Sequence, residues 1–103
     1  MLEIRSLCGE KEAVLALQGE LDLSTVGCFT RALEQALRRH NSVILNLEGL
    51  AFLDSSGVGG LVRALGKARA GGKTVSVAGV RPEVYEIFEI MGLNEILRGP
   101  GLK

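Results

Sequence analysis

Single alternation of apolar and polar residues runs along 2–8, LEIRSLC, placing Leu2, Ile4 and Ser6 on one side and Glu3, Arg5 and Leu7 on the other. A period of two marks a half-buried strand, here near a sheet edge. Gly9-Glu10-Lys11 signals a turn, and EAVLALQG, 12–19, reads as the hairpin partner of that strand. Beyond GELDLS the period lengthens. Val26, Phe29, Leu33 and Leu37 recur at steps of three and four, which predicts an amphipathic helix over about 24–40. Asp22, Ser24 or Thr25 could cap its start, and Glu34 and Arg38 form an exposed i,i+4 pair.

SVILNL, 42–47, is nearly continuous in Leu and β-branched residues, as a central strand covered by other elements would be. Helical spacing returns at Val58, Leu61, Val62, Leu65 and Ala68 and stops at Gly71-Gly72, a C-cap signal. KTVSVAGV, 73–80, predicts another strand through Val75 and Val77. Pro82 then opens a third helix as an N1 proline. Val84, Ile87, Phe88 and Met91 fall on its inner face, and Gly92 ends it. The order β-β-α-β-α-β-α predicts a small mixed α/β sheet with helices packed against it: an N-terminal antiparallel hairpin, the remaining strands parallel.

At 103 residues the chain suits one domain, spanning 1–103, with a modest core. Its apolar content is 47%, with no Trp and 4% aromatic residues, which argues against surfaces that stack bases or sugars. Twelve basic residues balance twelve acidic ones, so no global field steers it to nucleic acid or anionic membrane. Cys8 and Cys28 have no metal-ligand spacing and are too few for a disulfide framework, so free thiols in a reducing cytoplasm are expected. MLEIRSL has alternating charges and no apolar core of a signal peptide, and no apolar run approaches the ~20 residues that span a bilayer. A cytoplasmic protein with no membrane insertion and no metal or other cofactor is the expectation.

The candidate chemistry lies in FLDSSGVGG, 52–60, where an apolar run meets a helical one through Asp54, Ser55, Ser56 and Gly57. A nucleophile elbow needs G-x-S-x-G, but Leu53 and Asp54 stand two places before the serines. The single His40 falls at the far end of the first helix, and a hydroxyl without a base is a poor nucleophile. GVGGLV begins like G-x-G-x-x-G but puts Val62 at the last glycine. GKARAGGKT, 66–74, imitates a P-loop one residue too long and precedes a strand where a helix is required. A site that receives phosphate fits better. At a strand-to-helix junction, free N–H groups and the positive dipole end favour a phosphoryl group, and Gly57 and Gly59 leave room for a partner. Simple capping by Asp54 or Ser55, worth about 1 kcal/mol, accounts for one polar residue but not for two serines and three glycines.

At these residues the chain resembles the STAS domain family, and within it the single-domain anti-sigma factor antagonists. GELDLST, 19–25, is similar to the family's turn ahead of the first helix, and VILNLEGLAFLDSSGVGGL, 43–61, to its strand, loop and phosphorylatable motif. AGGKTVSVAGV, 70–80, and the Gly92-Leu93 ending fall in the family order. The resemblance implies a regulatory protein rather than an enzyme. It implies binding to an anti-sigma factor that is also a serine kinase, which frees a sigma factor. Phosphorylation of Ser56 by that kinase would end the binding, and a serine phosphatase would reset it. Asp22 and Asp54 resemble acidic residues bordering the phosphorylation site and kinase contact surface; Ser55, Gly57, Gly60 and Arg63 join them as candidate partner-binding residues. The alternative is an accessory subunit of a lipid-transport ATPase or a stress-sensing complex, and a third class is a small-ligand or nucleotide sensor.

Gly60 departs from the family, which usually has alanine or an aliphatic residue there. Each glycine in a helix costs about 1 kcal/mol against alanine, so Gly60→Ala is expected to stabilise the domain if the site has room for a methyl. Helical spacing lines Ser56, Gly60, Arg63 and Lys67 along one stripe, expected to form a solvated face or a basic rim toward a partner. Glu83, Glu86 and Glu89 form a separate acidic, solvated stripe.

Overall fold

The structure, a computed structural model, describes residues 1–9 and 11–90. Its elements are β1 (Leu2–Cys8), β2 (Glu12–Leu21), α1 (Val26–Arg39), β3 (Ser42–Leu53), α2 (Ser55–Ala70), β4 (Thr74–Ala78) and α3 (Pro82–Ile90). They form one four-stranded sheet in the order β1-β2-β3-β4, with β1 antiparallel to β2 and the rest parallel. The expected fold class and element order are therefore observed. Glu10 in the first turn, Met91 and Gly92 at the third helix, and the Gly92-Leu93 ending lie outside the described residues.

Alternation decides which face of the sheet is covered. Ala13, Leu15 and Leu17 of β2 and Val43, Leu45 and Leu47 of β3 are buried, whereas Val14, Ala16, Ile44 and Asn46 between them are half-buried. The central strand is thus closed on one face and partly open on the other, despite its nearly continuous apolar sequence. Phe29 and Leu33 of α1, Leu61 and Leu65 of α2, and Val84 and Phe88 of α3 join the same hydrophobic cluster. Burying such side chains stabilises by about 1.5–3 kcal/mol each.

β3 runs to Leu53, well past the strand expected over 42–47. Its register against β2 slips twice, with Ala16↔Asn46 followed by Gln18↔Gly49, and Gly19↔Leu50 followed by Glu20↔Phe52. At each slip β3 uses one residue more than β2, the signature of a bulge. The bulges break strict alternation yet still turn Leu50 and Leu53 inward. At its far end, α2 stops in a Schellman turn: Lys73 N donates to Ala68 O at 2.9 Å and Gly72 N to Arg69 O at 3.0 Å. The positive φ of 78° at Gly72 makes that turn possible.

Two side-chain expectations change. Glu34 does not pair along its own helix with Arg38; its Oε2 lies 3.8 Å from Lys67 Nζ on α2. The start of α1 is organised differently as well. Thr25 is the N-cap but makes no side-chain cap bond, and Asp22 acts one turn earlier, on the loop.

Candidate functional site at the C-terminal edge of the sheet

Leu21 and Leu53 are partners at the ends of β2 and β3, so Asp22 and Asp54 leave the sheet side by side. This edge of a parallel sheet, where strands hand over to helices, is the usual place for a binding site in α/β folds. Asp54 N donates to Leu21 O at 3.3 Å, tying the two exits together.

Asp54 caps α2. Its Oδ1 accepts from Gly57 N at 2.8 Å, and Val58 N donates to Asp54 O at 2.9 Å. Gly57 must be glycine because the first turn of α2 rides directly over the Leu21 carbonyl. A Cβ there would collide with Leu21 O and lie 2.8 Å from Leu21 C. The cap and the close approach together fix how α2 leaves the sheet.

The Asp22 turn is held from within. Asp22 Oδ1 accepts from Ser24 Oγ at 2.7 Å, Ser24 N at 3.0 Å and Thr25 N at 3.1 Å. Asp22 N in turn donates to Thr25 Oγ1 at 2.9 Å, and Thr25 Oγ1 donates to Glu20 O at 2.9 Å. The bond from the Ser24 hydroxyl leads the causes that hold the Asp22 carboxyl below its ordinary pKa; partial desolvation opposes it.

Ser55 is exposed and Ser56 half-buried, in the first turn of α2. Among the described residues neither hydroxyl and neither backbone N–H of the pair has a hydrogen-bond partner. The helix end therefore offers unused donors and a positive dipole beside two accessible hydroxyls. His40, the only histidine, stands at the opposite end of α1, about 20 Å along the helix from its start, so no imidazole serves these hydroxyls.

The expected stripe divides in two. Arg63 and Lys67 are exposed and Ser56 lies two turns from Arg63 on the same side, but Gly60 is buried. A Cβ at Gly60 would collide with Val26 Cγ2 of α1, so the missing side chain serves the packing of α2 against α1. The methyl that Gly60→Ala would add has no room, which overturns the expected stabilisation. Gly57 is likewise buried, shaping the surface without lying on it. Arg63 reaches back toward the helix start, as side chains on helices do; its Nη1 would stand 3.5 Å from a Cβ at Gly59.

Two surface residues escaped the sequence reading. Leu23, between Asp22 and Ser24, is 75% exposed, and Phe52, just before Leu53, is 50% exposed. The sequence reading assigned neither of them a role: Leu23 lies between two polar turn residues, and Phe52 stands near the end of an apolar run. The available signal was local: a residue inside an Asp-capped turn cannot reach the core, and a neighbour of inward Leu53 must face outward. Exposed apolar side chains flanking two carboxylates and two serines make a surface suited to a protein partner.

Residues 9–99 match the family model described as Mlab, STAS domain. The chain belongs to the STAS domain family. This STAS domain is 29% identical over 86 residues to the anti-sigma F factor antagonist of Paenibacillus polymyxa, across 82% of this chain and 74% of that one. The unphosphorylated form of the anti-sigma factor antagonist SpoIIAA superposes with a TM-score of 0.73 at 26% identity, covering 92% of this chain and 84% of that one. The phosphorylated form of the Bacillus cell fate determinant SpoIIAA gives 0.69 at 25% identity, over 92% and 86%.

Proposed function

We propose that this STAS domain is an anti-sigma factor antagonist, a regulatory protein that binds an anti-sigma factor with serine-kinase activity and so releases a sigma factor. The observation that carries the reading is the start of α2. There Asp54 caps the helix, two serine hydroxyls are left without partners among the described residues, and the neighbouring turn and strand end expose Leu23 and Phe52. Relatives named as anti-sigma factor antagonists, and a structural neighbour described in both unphosphorylated and phosphorylated forms, support it.

Ser56 is the proposed phosphoryl acceptor. Ser55 is the more exposed, so exposure does not make the choice; the family resemblance does. Phosphate adds about −1.5 to −2 charge with acceptor oxygens. Near a helix N-terminus that charge is favourable, so modification leaves the fold intact while changing the surface a partner reads. Asp22, Asp54, Ser55 and Arg63 form the proposed contact surface around it, with Gly57 and Gly60 setting its shape from beneath. A serine phosphatase would restore the binding form.

Affinity capture with the unmodified protein from bacterial lysate, followed by phosphorylation with the captured kinase and ATP, tests this. Recovery of a serine-kinase-like protein, phosphate on wild type and on Ser55→Ala, and none on Ser56→Ala are expected. Phosphate on Ser56→Ala but not on Ser55→Ala would move the acceptor to Ser55. Recovery of transport-ATPase subunits would favour the accessory-subunit alternative, which needs no acceptor.

A further inference from the structure

β1 is the outermost strand, and among the described residues no other strand pairs with its outer edge. The bonding phase of that edge follows from the two ends of the hairpin. Glu20 N donates to Met1 O at 2.9 Å, and Gly9 N donates to Glu12 O at 2.8 Å. Bonded pairs alternate along an antiparallel ladder. With a regular register from Leu2↔Gly19 to Cys8↔Ala13, the odd-numbered residues of β1 bond inward to β2. Leu2, Ile4 and Ser6 therefore turn their N–H and C=O groups outward, a template for one more strand.

The side chains add a pattern to that template. On the open face Met1, Glu3, Arg5 and Leu7 follow one another, all exposed, with Met1 at 88% and Leu7 at 67%. Read in opposite directions, this series is complementary to itself: apolar, acidic, basic, apolar.

We infer that the outer edge of β1 pairs antiparallel with β1 of a second copy of this chain, about a two-fold axis through Ile4. Ile4 then exchanges both backbone bonds with the partner's Ile4, and Leu2 bonds with the partner's Ser6. Between these lie unbonded pairs, where side chains approach closest, at about 4.5 Å between Cα atoms. Glu3 faces the partner's Arg5, and Met1 faces the partner's Leu7. Every exposed side chain of the face gains a matching neighbour. Axes through Glu3 or Arg5 satisfy the bonding phase too, but each sets a charge against its own copy, which is unfavourable. On the covered face Ile4 lines a groove of about 560 Å³ between β1 and α1, of mixed character, with Leu15 and Ala36 beside Gln35, Arg39 and His40. Pairing through Ile4 yields a continuous eight-stranded sheet. β2 lies between this edge and β3, which leads into α2, and only the Met1 end comes near the Asp22 turn.

An interface one strand deep is below the size of a stable dimer, so reversible association with a Kd of about 10 μM to 1 mM is expected. Sedimentation equilibrium of the full chain at low salt, up to about 1 mM, measures it. Arg5→Glu turns both charge pairs into like-charge pairs and is expected to weaken association by about tenfold or more, as is Glu3→Arg. The double variant Glu3→Arg/Arg5→Glu restores opposite charges and should return within about threefold of wild type. It carries both substitutions, so repulsion predicts recovery where misfolding predicts a further loss. A wild type that stays monomeric throughout, a single variant that associates as tightly as wild type, or a double variant that does not recover would each overturn the inference.

Discussion

Two carboxylates leave adjacent strands side by side, and their different partners set different responses to substitution. Asp54 holds Gly57 N through a 2.8 Å cap bond, so Asp54→Ala should cost about 1 kcal/mol, within the 0.5–2 kcal/mol range for lost caps. Asp54→Asn should keep most of it. Urea unfolding checks both, with a lower midpoint and unchanged slope expected for the alanine. Asp22 gathers its donors while charged, and its pKa lies below the ordinary 3.8. Its contribution is therefore present above the unfolded value and lost as pH falls through the depressed folded one. Thermal unfolding against pH should show Asp22→Asn less stable than wild type near neutrality, the gap closing below about pH 4. A gap that is constant with pH would rule out the charge as its cause. Residue by residue, the sequence was legible where chemistry is local. Asp before Ser-Ser reads as a cap, and Asp54 is one. Leu23 and Phe52 were not legible, because composition marks a residue as apolar while only the turn or the pleat says which way it points.

The elements were readable from periodicity, while their contacts were not. The expected order and the antiparallel-then-parallel pairing are observed, since periods of two and of three to four are imposed by backbone geometry itself. The end of β3 was hidden because two bulges interrupt its alternation, and the Glu34–Lys67 approach joins two helices that no single-helix rule connects. Helix packing likewise decides the sign at Gly60. Propensity alone favours alanine by about 1 kcal/mol. Overpacking against the stiff Val26 side chain typically costs about 1–3 kcal/mol and should outweigh it. Gly60→Ala is thus expected to lower stability, by less in a Val26→Ala background, and a double-mutant cycle by chemical denaturation measures that coupling. Equal effects in both backgrounds would remove Val26 as the cause. Gly57→Ala should be worse, because its obstacle is the Leu21 backbone, which cannot rotate away.

At the scale of the whole molecule, the sheet's C-terminal edge brings the Asp22 turn and the start of α2 together, with Leu23 and Phe52 exposed next to them in the chain, while the formal net charge is zero. With no net field to steer association, a partner must recognise the local surface, and a new charge there matters most. Ser56→Asp places a carboxylate near a helix N-terminus, worth roughly 0.3–1 kcal/mol in favour of the fold, so its unfolding transition should match wild type. Binding should respond in the opposite direction: disrupting a close polar contact costs about 2 kcal/mol or more, some thirtyfold in affinity. Phosphoserine, with more charge than aspartate, should weaken binding further. The decisive measurement is calorimetric titration of the captured anti-sigma factor with wild type, Ser56→Asp and the protein phosphorylated at Ser56. A stepwise loss of affinity in that order, with all three equally folded, is expected; equal affinity for all three would contradict a phosphorylation switch at this site.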